Sequence, residues 1–188
     1  MANIEKIKQT IRMENVVVSA GIGTKLDLNQ IVKVLEKANY NKKKFPGVIH
    51  RIISPKMTML IFGSGKFVCT GARSIEEARV GLSKVFEKLE ETGISIQKNF
   101  DINTHNIVAT ADIGRVLNLY TIAIGLGLEN IEYEPEQFPG LVYRLQGKKV
   151  VVLLFSSGKI VITGGKSVED VETAVDKMIV ELNGLGLL

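Results

Sequence analysis

Along much of the chain, apolar and polar positions alternate with the period of a β-strand. In MTMLIF (Met57 to Phe62), Met59 and Ile61 point one way, and Thr58, Leu60 and Phe62 the other. Further along, Val152 and Leu154 oppose Val151, Leu153 and Phe155. After each run a second strand alternates: Phe67 and Cys69 against Val68 and Thr70, then Ile160 and Ile162 against Val161 and Thr163. Strands are expected at 16–20, 48–53, 57–62 and 66–71, and again at 107–111, 141–145, 149–155 and 159–164. Helical spacing marks 28–38 and 119–128. Two further helices open at SIEE (Ser74 to Glu77) and SVED (Ser167 to Asp170). The first of these reads as a capping box, and the second puts Asp where Glu or Gln is usual. Gly93 and Gly184 are placed to stop these helices.

The two sets of elements are copies. NVVVSAGIGTKLDL (Asn15 to Leu28) aligns without gaps on NIVATADIGRVLNL (Asn106 to Leu119) at an offset of 91. FPGVIHRIISPKMTMLIFGSGKFVCTG (Phe45 to Gly71) aligns on FPGLVYRLQGKKVVVLLFSSGKIVITG (Phe138 to Gly164) at an offset of 93, with 13 identities in 27 positions. That period is too long for a solenoid unit and fits two similar half-domains. The predicted organisation is a lead-in over 1–14, one repeat over 15–93, a connector over 94–105 and a second repeat over 106–188. The order β-α-β-β-β-α, twice over, predicts an α+β fold with a mostly antiparallel sheet of about ten strands and four helices.

An antiparallel sheet normally keeps one face polar, but here both faces are apolar or nearly so. Four helices can cover one face of such a sheet and hardly both. A broad face bearing Val17, Leu60, Val68, Thr70, Val108, Leu153, Val161 and Thr163 is therefore expected to lie open. Exposed apolar surface of that extent marks a binding face. Patterning alone leaves open whether that face takes a partner, buries itself in a homodimer, or curls onto itself.

Charge and the repeated polar residues sharpen the picture. The net charge of +4 is split unevenly: residues 1–93 hold 16 Lys and Arg against 9 Asp and Glu, and residues 94–188 hold 8 against 11. The first half suits an anionic partner, and the second can meet a basic one. Asn15 and Asn106 recur at the start of each first strand, and Arg51 with Arg144, and Lys66 with Lys159, recur as cations. An apolar middle, a few amides and hydroxyls, and a cationic margin suit the DNA minor groove. Adenine N3 and thymine O2 present acceptors there, while the guanine amino group would intrude, so A·T pairs should be preferred. Phe45 with Phe62, and Phe138 with Phe155, recur at identical spacing. Phe62 and Phe155 fall on the open-face parity, and insertion of such rings between base steps kinks a duplex.

Other chemistries find little support. LIFGSGKF (Leu60 to Phe67) resembles a phosphate loop, but Phe67 stands where Ser or Thr should follow the Lys, and a strand follows where a helix should. It reads as a hairpin turn, with its twin at Ser156 to Gly158. The single cysteine, Cys69, excludes an internal disulfide, and two histidines make a zinc site improbable. His50 and His105 have no repeated partner, so no enzyme is expected, and no cofactor. No apolar run approaches a membrane span, and MANIEKIKQTIRMENV lacks an apolar signal core. A cytoplasmic protein is the expectation.

The paired FPG, L-x-F-x-S-G-K and V-x-T-G blocks, with YEPEQFPGL (Tyr133 to Leu141), resemble the TATA-binding protein core over nearly the whole chain. Without a long N-terminal extension, the chain is similar to the archaeal form, which implies association with the nucleoid. The resemblance implies a two-fold pseudo-symmetric saddle, with DNA under the curved sheet and the helices on its convex back. It implies a general initiation factor that binds the TATA element of promoters and recruits transcription factor B and RNA polymerase. The family is itself an established example of minor-groove wedging and bending, so that behaviour comes with the resemblance. Carried over by position, Asn15 and Asn106 would bond base edges at the centre. Val17, Leu60, Val68, Thr70, Val108, Leu153, Val161 and Thr163 would lie on the groove floor. The four phenylalanines would wedge at the two ends, and Arg51, Lys66, Arg144 and Lys159 would meet phosphates. Glu134 and Glu136 would contact transcription factor B. When free of DNA, the protein could pair through its open face as a homodimer.

Overall fold

The computed structural model describes residues 2–94, 96, 100–127 and 129–188. Leu128, the expected end of one helix, lies outside these residues, as do positions 95 and 97–99 of the connector. By internal contacts the chain divides into two compact units. One holds Asn15–His105, called here the first half. The other holds residues 1–14 with Asn106–Leu188, the second half.

The first half contains most of β1 (Arg12–Gly21), then α2 (Leu28–Val34), β2 (Ala38–Asn39), β3 (Gly47–Ile52), β4 (Met57–Phe62), β5 (Lys66–Ala72) and α3 (Ile75–Glu90). Its strands run in the order β2-β3-β4-β5-β1, all antiparallel. The second half adds α1 (Ala2–Gln9) to β6 (Asn103–Asp112), α4 (Leu119–Leu126), β7 (Ile131–Glu132), β8 (Leu141–Arg144), β9 (Val151–Leu154), β10 (Lys159–Gly165) and α5 (Val168–Gly184). Its order is β6-β10-β9-β8-β7, again antiparallel.

Each sheet has one face covered by its own long helix. In the first half Val18, Met59, Ile61, Phe67 and Cys69 are buried, as are Leu82, Val85 and Leu89 of α3. Cys69 Sγ lies 3.3 Å from Met57 Sδ, and burial pushes its thiol up to about 11. In the second half Ala109, Val152, Leu154, Ile160 and Ile162 are buried, with Val171, Val175, Met178 and Leu182 of α5. Burying this many branched and aromatic side chains supplies the main favourable term for each half.

Several local expectations change. Among the described residues α1 is a fifth helix: Ile7 is buried on it, and Lys8 Nζ lies 2.7 Å from an Asp176 oxygen of α5. α2 stops at Val34 and not near residue 38, because Leu35 is already extended and Ala38 begins an edge strand. The reciprocal capping box belongs to α5, where Ser167 and Asp170 bond each other's backbone. At α3, Ser74 accepts from the Glu77 N–H, but the Glu77 carboxylate goes to the Arg73 N–H. The longer Glu side chain reaches one residue past the cap, and the shorter Asp in the second half serves both amides. Gly184 is the last residue of α5, and the left-handed stop falls on Gly186, whose amide bonds the Asn183 carbonyl at 2.9 Å.

Candidate nucleic-acid interface

Among the described residues no helix lies on the other face of the strands in either half. In the first half Val17, Leu60, Val68 and Thr70 are half-buried, the first three each between fully buried neighbours and Thr70 between buried Cys69 and exposed Gly71. Cross-strand pairing sets Leu60 beside Val68, and Thr58 beside Thr70. The second half repeats the arrangement with Val108, Leu153, Val161 and Thr163, with Leu153 beside Val161. Only side chains from alternate positions reach such a face, so each half presents a small apolar field interrupted by hydroxyls.

Asn15 and Asn106 are held alike at one edge of these fields. Gly71 and Gly164 have positive φ, and each sits at a register irregularity, where β5 meets β1 and where β10 meets β6. The bulge turns the glycine N–H out of the ladder. Gly71 donates to Asn15 Oδ1 at 2.7 Å, and Gly164 to Asn106 Oδ1 at 2.8 Å. The amide oxygen is thereby engaged, which assigns the other end of each side chain as donor. Asn106 Nδ2 also lies 3.4 Å from Thr163 Oγ1, and Thr70 Oγ1 donates to Asn15 Oδ1 at 3.3 Å.

The phenylalanines meet in pairs. Phe45 and Phe62 have ring centroids 5.7 Å apart, and Phe138 and Phe155 5.9 Å. Glycines make room for them: a Cβ on Gly47 would lie 3.0 Å from Phe45, and one on Gly140 would lie 2.7 Å from Phe138. Phe138 is 38% exposed; the other three are half-buried. The GSGK stretch is the turn between β4 and β5, closed by Gly65 N–H to the Phe62 carbonyl at 2.9 Å. Its twin closes from Gly158 to Phe155 at the same distance. Lys66 and Lys159, just past these turns, are exposed, as are Arg51 and Arg144. Arg144 is already engaged, its Nη2 3.0 Å from Glu132 Oε1. Glu134 and Glu136 are exposed in the turn before Phe138, where Glu134 accepts from Gln137.

Four residues on these faces have no place in the expected set. Ser19, opposite Val68, lies with its Oγ 2.6 Å from His105 Nε2. Its twin Thr110, opposite Val161, donates to Glu14 Oε1 at 3.0 Å. His105 and Glu14 are themselves twins, each preceding the paired asparagine. The offset of 91 carried the signal, but the contact requires knowing which strands approach. Glu14 and Thr110 line a hollow of about 540 Å³ with Phe155, Lys159 and Val161.

Two copies of an open, apolar sheet face with fixed amide donors and exposed cations define a class: duplicated α+β proteins that offer a surface, not a pocket, to an extended partner. The comparisons with known proteins agree. The profile of the family described as transcription factor TFIID, or TATA-binding protein, matches residues 10–92 and 101–185. The TATA-box-binding protein E of Halobacterium salinarum is 57% identical over 181 residues, covering 96% of this chain and 97% of that one. The TATA-box-binding protein of Archaeoglobus fulgidus is 53% identical over 178 residues, covering 95% and 97%. Among solved structures, Methanococcus jannaschii TBP superposes with a TM-score of 0.86 at 49% identity, covering 93% of this chain and 98% of that one. The chain belongs to the TATA-binding protein family of transcription factors, and its relatives here are archaeal. Its α+β fold is the one expected, with ten strands among the described residues and one helix more there than the four anticipated. No helix among the described residues is long and apolar enough to cross a membrane.

Proposed function

We propose that this protein binds the TATA element of promoters through the minor groove, kinks and bends the duplex, and recruits transcription factor B and RNA polymerase. The observation that carries the reading is the pair of latched asparagines. With Oδ1 accepting from a bulge amide, each side chain has its N–H groups left to offer a base edge. A·T pairs present only acceptors in the minor groove, whereas a G·C pair adds a donor that would meet another donor. The half-buried Val, Leu and Thr side chains suit the sugar walls and the groove floor. Phe62 and Phe155, backed by Phe45 and Phe138, suit insertion between base steps. Arg51, Lys66, Arg144 and Lys159 suit the phosphates, with Arg144 passing from Glu132 to the backbone. Glu134 and Glu136, exposed beside the second phenylalanine pair, suit a basic surface of transcription factor B. The protein would act in the cytoplasm at the nucleoid, and its open faces would pair in a homodimer when DNA is absent.

The test is a fluorescence bending assay on a TATA duplex and a G·C-rich duplex of equal length, repeated across salt. The TATA duplex should bind more tightly and bend. Four phosphate contacts should give a log–log salt slope of roughly −3 to −4. Equal binding to both duplexes would reject the reading. A salt-independent association would point instead to a protein interface on the open faces.

A further inference from the structure

The duplication lets each half serve as the reference for the other. On the open faces, two small motifs share one design and differ in chemistry. In each, the residue before the latched asparagine meets a hydroxyl that stands opposite a valine. Thr110, opposite Val161, donates to Glu14 Oε1 at 3.0 Å. Ser19, opposite Val68, lies with its Oγ 2.6 Å from His105 Nε2. Glu14 and His105 are both exposed, and neither has an ion pair among the described residues. Because the same place takes an imidazole in one half, the fold itself does not require a carboxylate in the other.

Glu14 lines the hollow of about 540 Å³ with Phe155, Lys159 and Val161, three side chains that the DNA reading already uses. Thr110 occupies one carboxylate oxygen, and among the described residues the other, Oε2, has no hydrogen-bond partner. Asp112, the second acid of the hollow, accepts from the Gly114 amide at 2.8 Å and so serves its own turn. At the two corresponding places the first half has His105 and Gly21, and no acid.

The two side chains ask different things of a base edge. A carboxylate accepts and does not donate, whereas an imidazole can carry a proton on the nitrogen left free. The floor of the minor groove offers acceptors from every base pair and a donor only from the guanine amino group. Over A·T pairs, Glu14 would set acceptor against acceptor, beside phosphates of its own sign. Over a G·C pair, the amino group that conflicts with the asparagine N–H groups would find an acceptor.

We propose that Glu14 reads the guanine amino group, so that the second half accepts one G·C pair at a place where the first half accepts only A·T. The proposal rests on the DNA reading of the open faces and makes the two halves unequal readers. An element with one such pair off its centre is then bound in one polarity, with the guanine under the second half.

The experiment titrates the full chain, by fluorescence anisotropy, against an all-A·T element and a series in which each pair in turn becomes G·C. Wild type should lose roughly ten-fold in affinity at most positions, but less than about three-fold at one distance from the centre of the element. E14A, with an unchanged melting temperature to show that it is folded, should bring the loss at that distance up to roughly ten-fold. Inosine in place of that guanine removes only the amino group, and E14A should then bind as it binds the all-A·T element. The double variant E14A/H105E gives the first half a carboxylate beside Ser19 and should regain the tolerance. An E14A profile matching that of wild type would overturn the proposal. So would a shift of equal size at every position, which would make Glu14 a bare charge. Selective binding of the all-A·T element over a G·C-rich duplex leaves the DNA reading standing in either case. Equal binding of those two by wild type would reject that reading, and the proposal with it.

Discussion

The asparagines at the start of the two repeats are held by the same latch, while the residues just before them, Glu14 and His105, differ in chemistry. Gly71 and Gly164 fix Asn15 and Asn106 with hydrogen bonds of 2.7 and 2.8 Å, from bulges of the same make. Yet the side chain resting on Ser19 is the imidazole of His105, and the one resting on its twin Thr110 is the carboxylate of Glu14. The latch needs a glycine, since an L-residue at that positive φ is strained, and a Cβ on Gly164 would lie 2.1 Å from the Lys149 carbonyl. A hydroxyl needs only some partner, and a ring nitrogen or a carboxylate will do. The repeats thus agree where backbone geometry dictates the residue and diverge where several side chains satisfy one bond. The same contrast governs the helix-covered side, where Glu181 of one half is matched by Lys88 of the other.

The strongest way to probe this agreement is at the turns. Gly65→Ala and Gly158→Ala would each thrust a methyl to 2.1 or 2.2 Å from a backbone oxygen, at φ of +82° and +86°. Each should cost about 3 kcal/mol in urea unfolding, and equally in the two halves. A clear inequality would show that the turns are not equivalent. Next come the latched amides. Asn15→Asp and Asn106→Asp replace a donor with an acceptor facing acceptors. Either should weaken TATA duplex binding by about 1–3 kcal/mol, as read by fluorescence titration.

The divergent pair should respond more weakly and unequally. Glu14→Gln removes a negative charge from the second half's open face and should tighten duplex binding by up to about 1 kcal/mol at low salt. His105→Gln should leave it unchanged or slightly weaker. Tightening by both would remove the asymmetry claimed for them. The smallest effect lies at the helix caps. Lys148, then the Lys166 amide, hold the Asp170 carboxyl down to about 2, below the ordinary 3.8. A carboxyl depressed on folding stabilises above its unfolded value, and that stability is lost as pH falls from about 3.8 towards 2. Asp170→Asn should therefore flatten that part of the acid-unfolding profile, followed by circular dichroism.

Most of the architecture was legible because it rests on period and repetition. The alternation through Met57–Phe62 and Val151–Leu154 separates a buried from a half-buried face, and the structure keeps that separation at all eight open-face positions named. The equal spacing of Phe45 to Phe62 and Phe138 to Phe155 anticipated paired rings. What escaped has a common cause. β2 and β7 are two residues long, too short to show any period, and α1 carries too few apolar residues to show a face. The asparagine latch depends on a bulge, which arises from the register between strands far apart in the chain. The bonds from Ser19 to His105 and from Glu14 to Thr110 likewise join residues 86 and 96 positions apart. Which of two similar caps becomes reciprocal turns on one methylene, at Glu77 or Asp170.

Cys69 gives these repeats a clock. Its thiol is fully buried under α3 and raised to about 11, so a thiol reagent at neutral pH meets almost no thiolate while the first half stays closed. Labelling can then proceed only as fast as that half opens, and its rate measures opening of one repeat in a chain that contains both. Ile162 occupies the twin position, equally buried. A chain carrying Ile162→Cys with Cys69→Val would time the other repeat in the same way. The pair of rates would show whether the duplicated halves come apart together or one at a time.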